Sequence, residues 1–288
     1  MTSGAARSAP LETGQETASD FLARIAADNS AIDARHVAVI AAHPDDETIG
    51  CGALLGRLRG VTVIVATDGA PRKESGARAH GFASAEAYAA ARAEELAQAL
   101  AVAGVDSAAV VRLGIPDQQA ALSLVPLSRQ LADILAERGI SLAITHCYEG
   151  GHPDHDATAF AAHAAVALMR RRGMPLHLIE VPLYHLGDDG MLVQRFPDGR
   201  EGLTIALDDD ARAVKSRMVA AHRTQARMLA EFPCEEERFR ASDIYDFRAL
   251  PNNGRLLYEG RDWGLNGARW LELTHKAMAE LGLRELAP

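Results

Sequence analysis

The chain has three cysteines in 288 residues, Cys51, Cys147 and Cys234. An odd and scattered set cannot build a disulfide framework, so a reducing compartment is expected, read here as the cytoplasm. Aromatic residues make up 5% of the chain, too few for a stacking platform on nucleic acid. Thirty Lys and Arg stand against 39 Asp and Glu, a formal net charge of −9. The basic footprint that nucleic acid or an anionic membrane surface requires is therefore missing. No run reaches the roughly 18 consecutive apolar residues of a membrane span. The opening MTSGAARSAPLETGQETASD lacks an apolar centre and does not read as a secretory signal. Its Ser, Thr, Gly and Ala content predicts a flexible tail over 1–16.

What is present points to one large α/β domain over 17–288. Five β-like runs alternate with helix-like stretches: HVAVIAA (36–42), VTVIVATD (61–68), AAVVRL (108–113), SLAITH (141–146) and LHLIEVPL (176–183). Their near-continuous apolar character fits strands buried on both faces of a parallel sheet. Between them, 84–104 is rich in Ala, Glu and Leu, with Ser84 as N-cap and Gly104 at its end. The stretch 156–173 opens on Asp156 and closes on three arginines and a glycine, which suits a helix dipole and a glycine cap. Alternation over a core of 36–183 predicts a doubly wound, mostly parallel sheet, with strand order 2-1-3-4-5 or 3-2-1-4-5. An extension over 184–288 reads differently. It predicts short antiparallel strands with DDG and PDG turns, a long helix from Asp209 to Phe232, a loop-rich stretch and a last helix at 266–282.

In such a fold, functional groups lie just past the C-terminal ends of the strands. Two His/Asp motifs stand there. Ala42-His43-Pro44-Asp45-Asp46-Glu47 follows the first strand, and Gly150-Gly151-His152-Pro153-Asp154-His155-Asp156 follows the fourth. These strands are expected to be neighbours, so the two turns can meet on one ion. A catalytic zinc takes three protein ligands and keeps one open position. His43, Asp46 and His155 supply three, and His₂Asp leaves a charge of +1, electrophilic enough to acidify a bound water. Asp45 is then free to act as general base. His152 is placed to stabilise an oxyanion or to hand a proton to the leaving group.

This pair of motifs resembles the LmbE/PIG-L family of zinc-dependent N-deacetylases, which remove acetyl groups from amino sugars. The likeness is clear from His36 to His155 and weaker towards the last helix. It implies a Rossmann-like α/β fold, with His43, Asp46 and His155 on the metal, Asp45 as base and His152 as oxyanion or general-acid group. It also implies substrate contacts. Arg92-Ala93-Glu94-Glu95 is similar to the family's R-x-x-E, whose Arg touches substrate, and Asp117 falls where relatives place a carboxylate on a sugar hydroxyl. One departure is Gly150, where some relatives carry a tyrosine; Tyr148 does not inherit that place. The expected activity is hydrolysis of an N-acetylated amine of the N-acetylglucosamine type, with Zn²⁺ as cofactor and Fe²⁺ as the alternative ion. The expected partner is a small N-acetylated sugar, and the loop-rich C-terminal part is compatible with a homo-oligomer.

Alternatives remain. The same site suits an amidase for another N-acyl or thiol-conjugate substrate. Two His and a carboxylate also form the triad of non-haem Fe(II) oxygenases, though these usually occupy all-β barrels. A non-catalytic binding protein would need neither Asp45 nor His152. Gly50, Cys51, Gly52 and Gly56 read as close packing of the first helix rather than as a dinucleotide loop. Met218, His222 and Gln225 share one helical face, and the polar pair reads as a satisfied core pair; the segment also resembles one the family places behind the site, which leaves a supporting role there open. His36, His80, His146, His163, His177, His185 and His275 have no assigned partner. Arg170-Arg171-Arg172 reads as a solvated helix end.

Overall fold

The computed structural model describes residues 16–283, apart from the side chains of residues 74 and 75. The predicted tail over 1–16 lies outside them save for Glu16, whose carboxylate meets Arg24 and His36. Thr17 and Asp20 form a reciprocal capping box that starts α1 (Ala18–Ala27), and Phe21 and Ile25 bury its inner face. The chain continues through β1 (Ile32–Asp33), β2 (Val37–Ala41), α2 (Asp46–Leu55), β3 (Leu58–Arg59) and β4 (Thr62–Pro71). Helices α3 (Glu74–Ala79) and α4 (Ala85–Val102) lead to β5 (Val110–Asp117), α5 (Leu124–Glu137) and β6 (Leu142–His146). Then come α6 (Pro153–Arg171), β7 (His177–Val181) and a hairpin of β8 (Tyr184–Gly187) and β9 (Gly190–Val193). After β10 (Leu203–Ala206) follow α7 (Asp209–Ala221), α8 (Ala226–Leu229), β11 (Glu236–Ala241) and α9 (Gly267–Leu281).

The main sheet has seven strands in the order β10-β11-β7-β6-β2-β4-β5. The five strands from β7 to β5 run parallel, and β11 and β10 extend the sheet antiparallel beyond β7. By chain position the parallel strands read 3-2-1-4-5, so the first and fourth are neighbours, with Val37 opposite Leu142 and Val39 opposite Ile144. Successive side chains of a strand leave by opposite faces. Ala38 and Ile40 join one core with residues of α5, α6 and α9, while Val37, Val39 and Ala41 join another with residues of α1, α2 and α4. Helices on both faces explain why β2 and β6 are buried along their whole length.

Several boundaries differ from the sequence reading. Helix α6 starts at Pro153, not at Asp156, because His152 is its N-cap and Pro153 suits the first helical position. The second motif is thus the first turn of a helix. The single long helix expected to Phe232 is broken. Helix α7 stops at Ala221, His222 leaves the helical region, and Thr224 gives both its backbone N–H and its hydroxyl to the Glu95 carboxylate. That side chain takes bonds a continuing helix would have made internally. Strand β11 falls in the stretch expected to be loop-rich. Arg171 is not merely solvated: its guanidinium donates to the carbonyls of Leu281 and Gly282 and closes the end of α9. No helix among the described residues is long and apolar enough to cross a membrane.

Candidate metal centre

The two motifs meet because their strands are neighbours. His43 and Asp45 sit in the turn after β2, and Asp46 is the first residue of α2. Asp46 accepts the His43 backbone N–H at 2.7 Å on Oδ2, and His43 Nδ1 lies 3.1 Å from the same oxygen. Its other oxygen, Oδ1, lies 3.4 Å from His155 Nε2. That nitrogen is buried and has no hydrogen-bond partner among the described residues. Two donors about 2.0–2.1 Å from a tetrahedral centre stand about 3.3–3.4 Å apart. The spacing of Asp46 and His155 is therefore that of two ligands, and it does not satisfy His155 as a hydrogen bond.

The far side of His155 carries the feature that orients it. Nδ1 lies 3.4 Å from Glu149 Oε1, within a carboxylate that also accepts from the backbone N–H groups of Leu183 and Tyr184. A carboxylate on one ring nitrogen directs the other at a metal. Three sets of donors lie close enough to share an ion: His43, His152 and His155; Asp46, His146 and His155; and His43, Asp117, His152 and Asp154. His146 is spoken for, since its Nε2 accepts the Ala42 N–H at 2.8 Å. Burial, and then His155, drive His146 down to about 3, so it is neutral.

The charges are coupled. Burial opposes a charged His43, but Asp46, Asp117 and Asp154 outweigh it and hold the imidazolium well above its ordinary range. His155 likewise rises to about 9 against burial, drawn by Asp46. Asp46 is buried yet held well below the ordinary carboxylate range by these two histidines.

Asp45 stands apart from this pairing. Its φ of 134° is a left-handed value rarely adopted by a residue with a side chain. Three contacts hold it there. Its N–H donates to Glu47 Oε2 at 3.0 Å, its carbonyl accepts from Thr48 and Ile49, and its carboxylate takes Arg92 Nη2 at 2.9 Å. Burial pushes its carboxyl up to about 6 against the pull of Arg92. Behind it, His222 Nε2 lies 3.5 Å from Glu47 Oε1. Gln225 is not behind the site: it lines the cavity, bonded to the Tyr88 hydroxyl at 2.5 Å.

His152 is different again. Its Nδ1 accepts the Asp154 N–H at 3.1 Å as the cap of α6. Burial and His43 hold its pKa well below the ordinary range, so the ring is neutral. With Nδ1 accepting, the proton sits on Nε2, which faces Asp117 Oδ1 at 3.9 Å. Gly151 just before it cannot be replaced. A Cβ there would lie 1.9 Å from the Tyr184 carbonyl oxygen.

Asp117 lines the same cavity, with Oδ1 3.0 Å from His43 Nε2. Arg92 also lines it, but its guanidinium is committed to Asp45, the Pro44 carbonyl and the Gly69 carbonyl. Gly69 makes room for it, since a Cβ there would lie 2.4 Å from Arg92 Nη1. Gly50 packs against Val181 of β7, where a Cβ would come within 2.8 Å of it, in keeping with its reading as a packing residue. Cys51 is buried beside it, its thiol pushed up by burial and Glu237. Tyr148 donates to the Ala249 carbonyl, accepts from Trp270 and packs on Phe247, away from the cavity.

Four residues went unread in the sequence: Glu149, Asp154, His146 and Trp263. Asp154 fastens the β5 end of the site, accepting from the N–H groups of Gln118 and Ala120. It stands inside the second motif, so its presence was visible and its role was not. Trp263 comes from a C-terminal loop with no motif, and its ring lies 4.5 Å from that of His152. The cavity, which Trp263 lines together with His43, Asp45, Asp46, His152 and His155, measures about 450 Å³.

Fold and site together define an α/β protein with a buried His/Asp cluster, at the strand ends of a mostly parallel sheet, that can hold a metal. Residues 38–166 match the family model described as PIG-L, GlcNAc-PI de-N-acetylase, and both motifs fall inside that span. The matched span runs from β2 into α6. Among solved structures it is similar to an N,N'-diacetylchitobiose deacetylase from Pyrococcus horikoshii, with a TM-score of 0.54 and 20% identity over 73% of this chain and 84% of that one. It is similar to the A40926 pseudoaglycone deacetylase Dbv21, with a TM-score of 0.52 and 24% identity over 69% and 85% of the two chains. The zinc-inhibited form of the teicoplanin deacetylase Orf2 gives 0.51 and 18% over 72% and 98%. At these identities the likeness is one of fold. No curated protein matches the chain.

Proposed function

We propose that the protein is a zinc-dependent hydrolase that removes the acetyl group from an N-acetylated amine, of the N-acetylglucosamine type. The observation that carries the reading is the orphaned His155 Nε2 at ligand spacing from Asp46, beside a separate buried carboxylate on Asp45. The family domain and the deacetylase names of the structural neighbours support it. His43, Asp46 and His155 would hold the ion. When bound, a divalent metal polarises the amide carbonyl and acidifies water. Asp45 takes the proton of the attacking water, in a position fixed by Arg92 and Glu47. His152 donates Nε2–H to the oxygen on which negative charge develops. The C–N bond then breaks, the amine leaves with the proton that Asp45 took from the water, and acetate remains. In this reading Asp117 contacts a sugar hydroxyl and Arg92 acts through Asp45 as well as on substrate.

The reading treats 17–288 as one deacetylase domain, a Rossmann-like core at 36–183 with an extension at 184–288. The pairing of β11 with β7 supports it. A cytoplasmic location belongs to the proposal and rests on the three unpaired cysteines. The test is fluorescamine detection of new amines across an N-acylated sugar library, with and without chelator. Amine release that chelator abolishes and zinc restores is expected; release unaffected by metal removal sinks the metal assignment.

Glu149 gives a second expectation. Glu149→Gln is expected to weaken zinc affinity about 10–100-fold, because His155 loses the carboxylate that orients it. Competition against a chromogenic chelator reads this directly. Affinity within twofold of the parent would remove Glu149 from the site.

A further inference from the structure

The cavity has two unlike ends. One is solvent-facing and polar, edged by Lys73, His80, Arg261 and Asp262, all exposed. Lys73 and Asp262 join across it, the ammonium 2.8 Å from the carboxylate. The other end is apolar, formed by buried Ile49, Tyr184 and Phe232 with half-buried Met228. Ile49 is 3% exposed, Phe232 6% and Tyr184 7%. These three belong to one apolar cluster, with Met228 packed against it.

The apolar end begins at the reacting centre. Ile49 stands three residues after Asp46 on α2, so the two side chains neighbour one another along the helix. The Tyr184 ring lies 4.9 Å from the His155 ring and 6.1 Å from the Phe232 ring. A carbonyl held among Asp46, His155 and His152 has two substituents that must leave in different directions. The amine-bearing half is polar, and burying it without partners is costly, so it belongs at the open end. The acyl half is apolar and belongs at the buried end. An acetyl methyl is small against four large apolar side chains. Added methylenes would cover surface that a methyl leaves bare.

We propose that this buried end is an acyl subsite, and that the enzyme prefers propanoyl and butanoyl amides to acetamides. The inference rests on the N-acyl hydrolase reading above and names the acyl class that site takes. In each case water adds to the carbonyl, the C–N bond breaks, and a carboxylic acid and a free amine result.

The experiment is kcat/KM, by amine release from the zinc-loaded full chain, on N-acetyl-, N-propanoyl-, N-butanoyl- and N-hexanoyl-glucosamine. A rise of about threefold per methylene is expected through butanoyl, from the apolar area each methylene buries. Met228→Trp is expected to lower the butanoyl-to-acetyl ratio at least tenfold by filling the subsite. Phe232→Ala is expected to move the optimum towards hexanoyl, and it keeps the test alive should the first variant not fold. A parent rate that falls with every added carbon overturns the subsite while leaving the hydrolase reading intact. So does a rate that rises with an alkyl group on the amine-bearing half instead. Amine release from no member of the series overturns the hydrolase reading and this one with it.

Discussion

Asp45→Asn is expected to bind zinc like the parent protein and to lose about 10²–10⁴-fold in kcat. Asparagine keeps an oxygen for Arg92, whose Nη2 meets Asp45 Oδ2 at 2.9 Å, and it leaves the backbone bond to Glu47 untouched. What it loses is the capacity to accept a proton. The two readouts separate the roles. Metal content by elemental analysis follows the ligands, whereas turnover follows the base. Near-normal turnover in a zinc-loaded Asp45→Asn protein would show that another group takes the proton.

Asp46→Ala is expected to reverse the pattern, with zinc affinity down more than about 100-fold, beyond the loss caused by removing a mere supporting group. Asp46 faces His43 with one oxygen and His155 with the other, so no neighbour replaces it. Asp46→Asn is the control for structure, because it retains an acceptor for the His43 N–H. A competing donor set makes the opposite forecast. His43, His152 and His155 also lie close enough to share an ion. Were they the ligands, His152→Ala would lose the metal and Asp46→Ala would keep it. The charge on the site favours Asp46, since a carboxylate offsets part of the cation's charge in a buried place and a third neutral imidazole does not. Dialysed protein from the two variants, assayed side by side for zinc, decides between the sets.

Both forecasts concern residues that could be picked out before any coordinates. The motif residues were legible because they obey short-range rules. Apolar runs of strand length end in proline-fixed turns, and a sheet with alternating helices exposes functional groups at just those ends. Of the two strand orders expected, only 3-2-1-4-5 makes the first and fourth parallel strands neighbours, and the fold takes that one. The error at α6 was of the same local kind, for Asp156 looked like a helix start while His152 was the cap. The break after Ala221 was not legible, because Glu95, which captures Thr224, sits on a different helix.

The sequence by itself determined where the His/Asp motifs stand, since His43, Asp45, Asp46, His152 and His155 were singled out by motif and strand position alone, and the structure brings all five to one cavity. Only the tertiary structure decided what sets their states. Glu149 orients His155, Arg92 and Glu47 fix Asp45, and Tyr184 and Phe232 shape the deep end of the cavity. The physical reason is range. Hydrogen-bond partners and dry walls act over a few ångströms in space, and the folded sheet brings them there from loops and helices whose sequences carry no mark of the meeting.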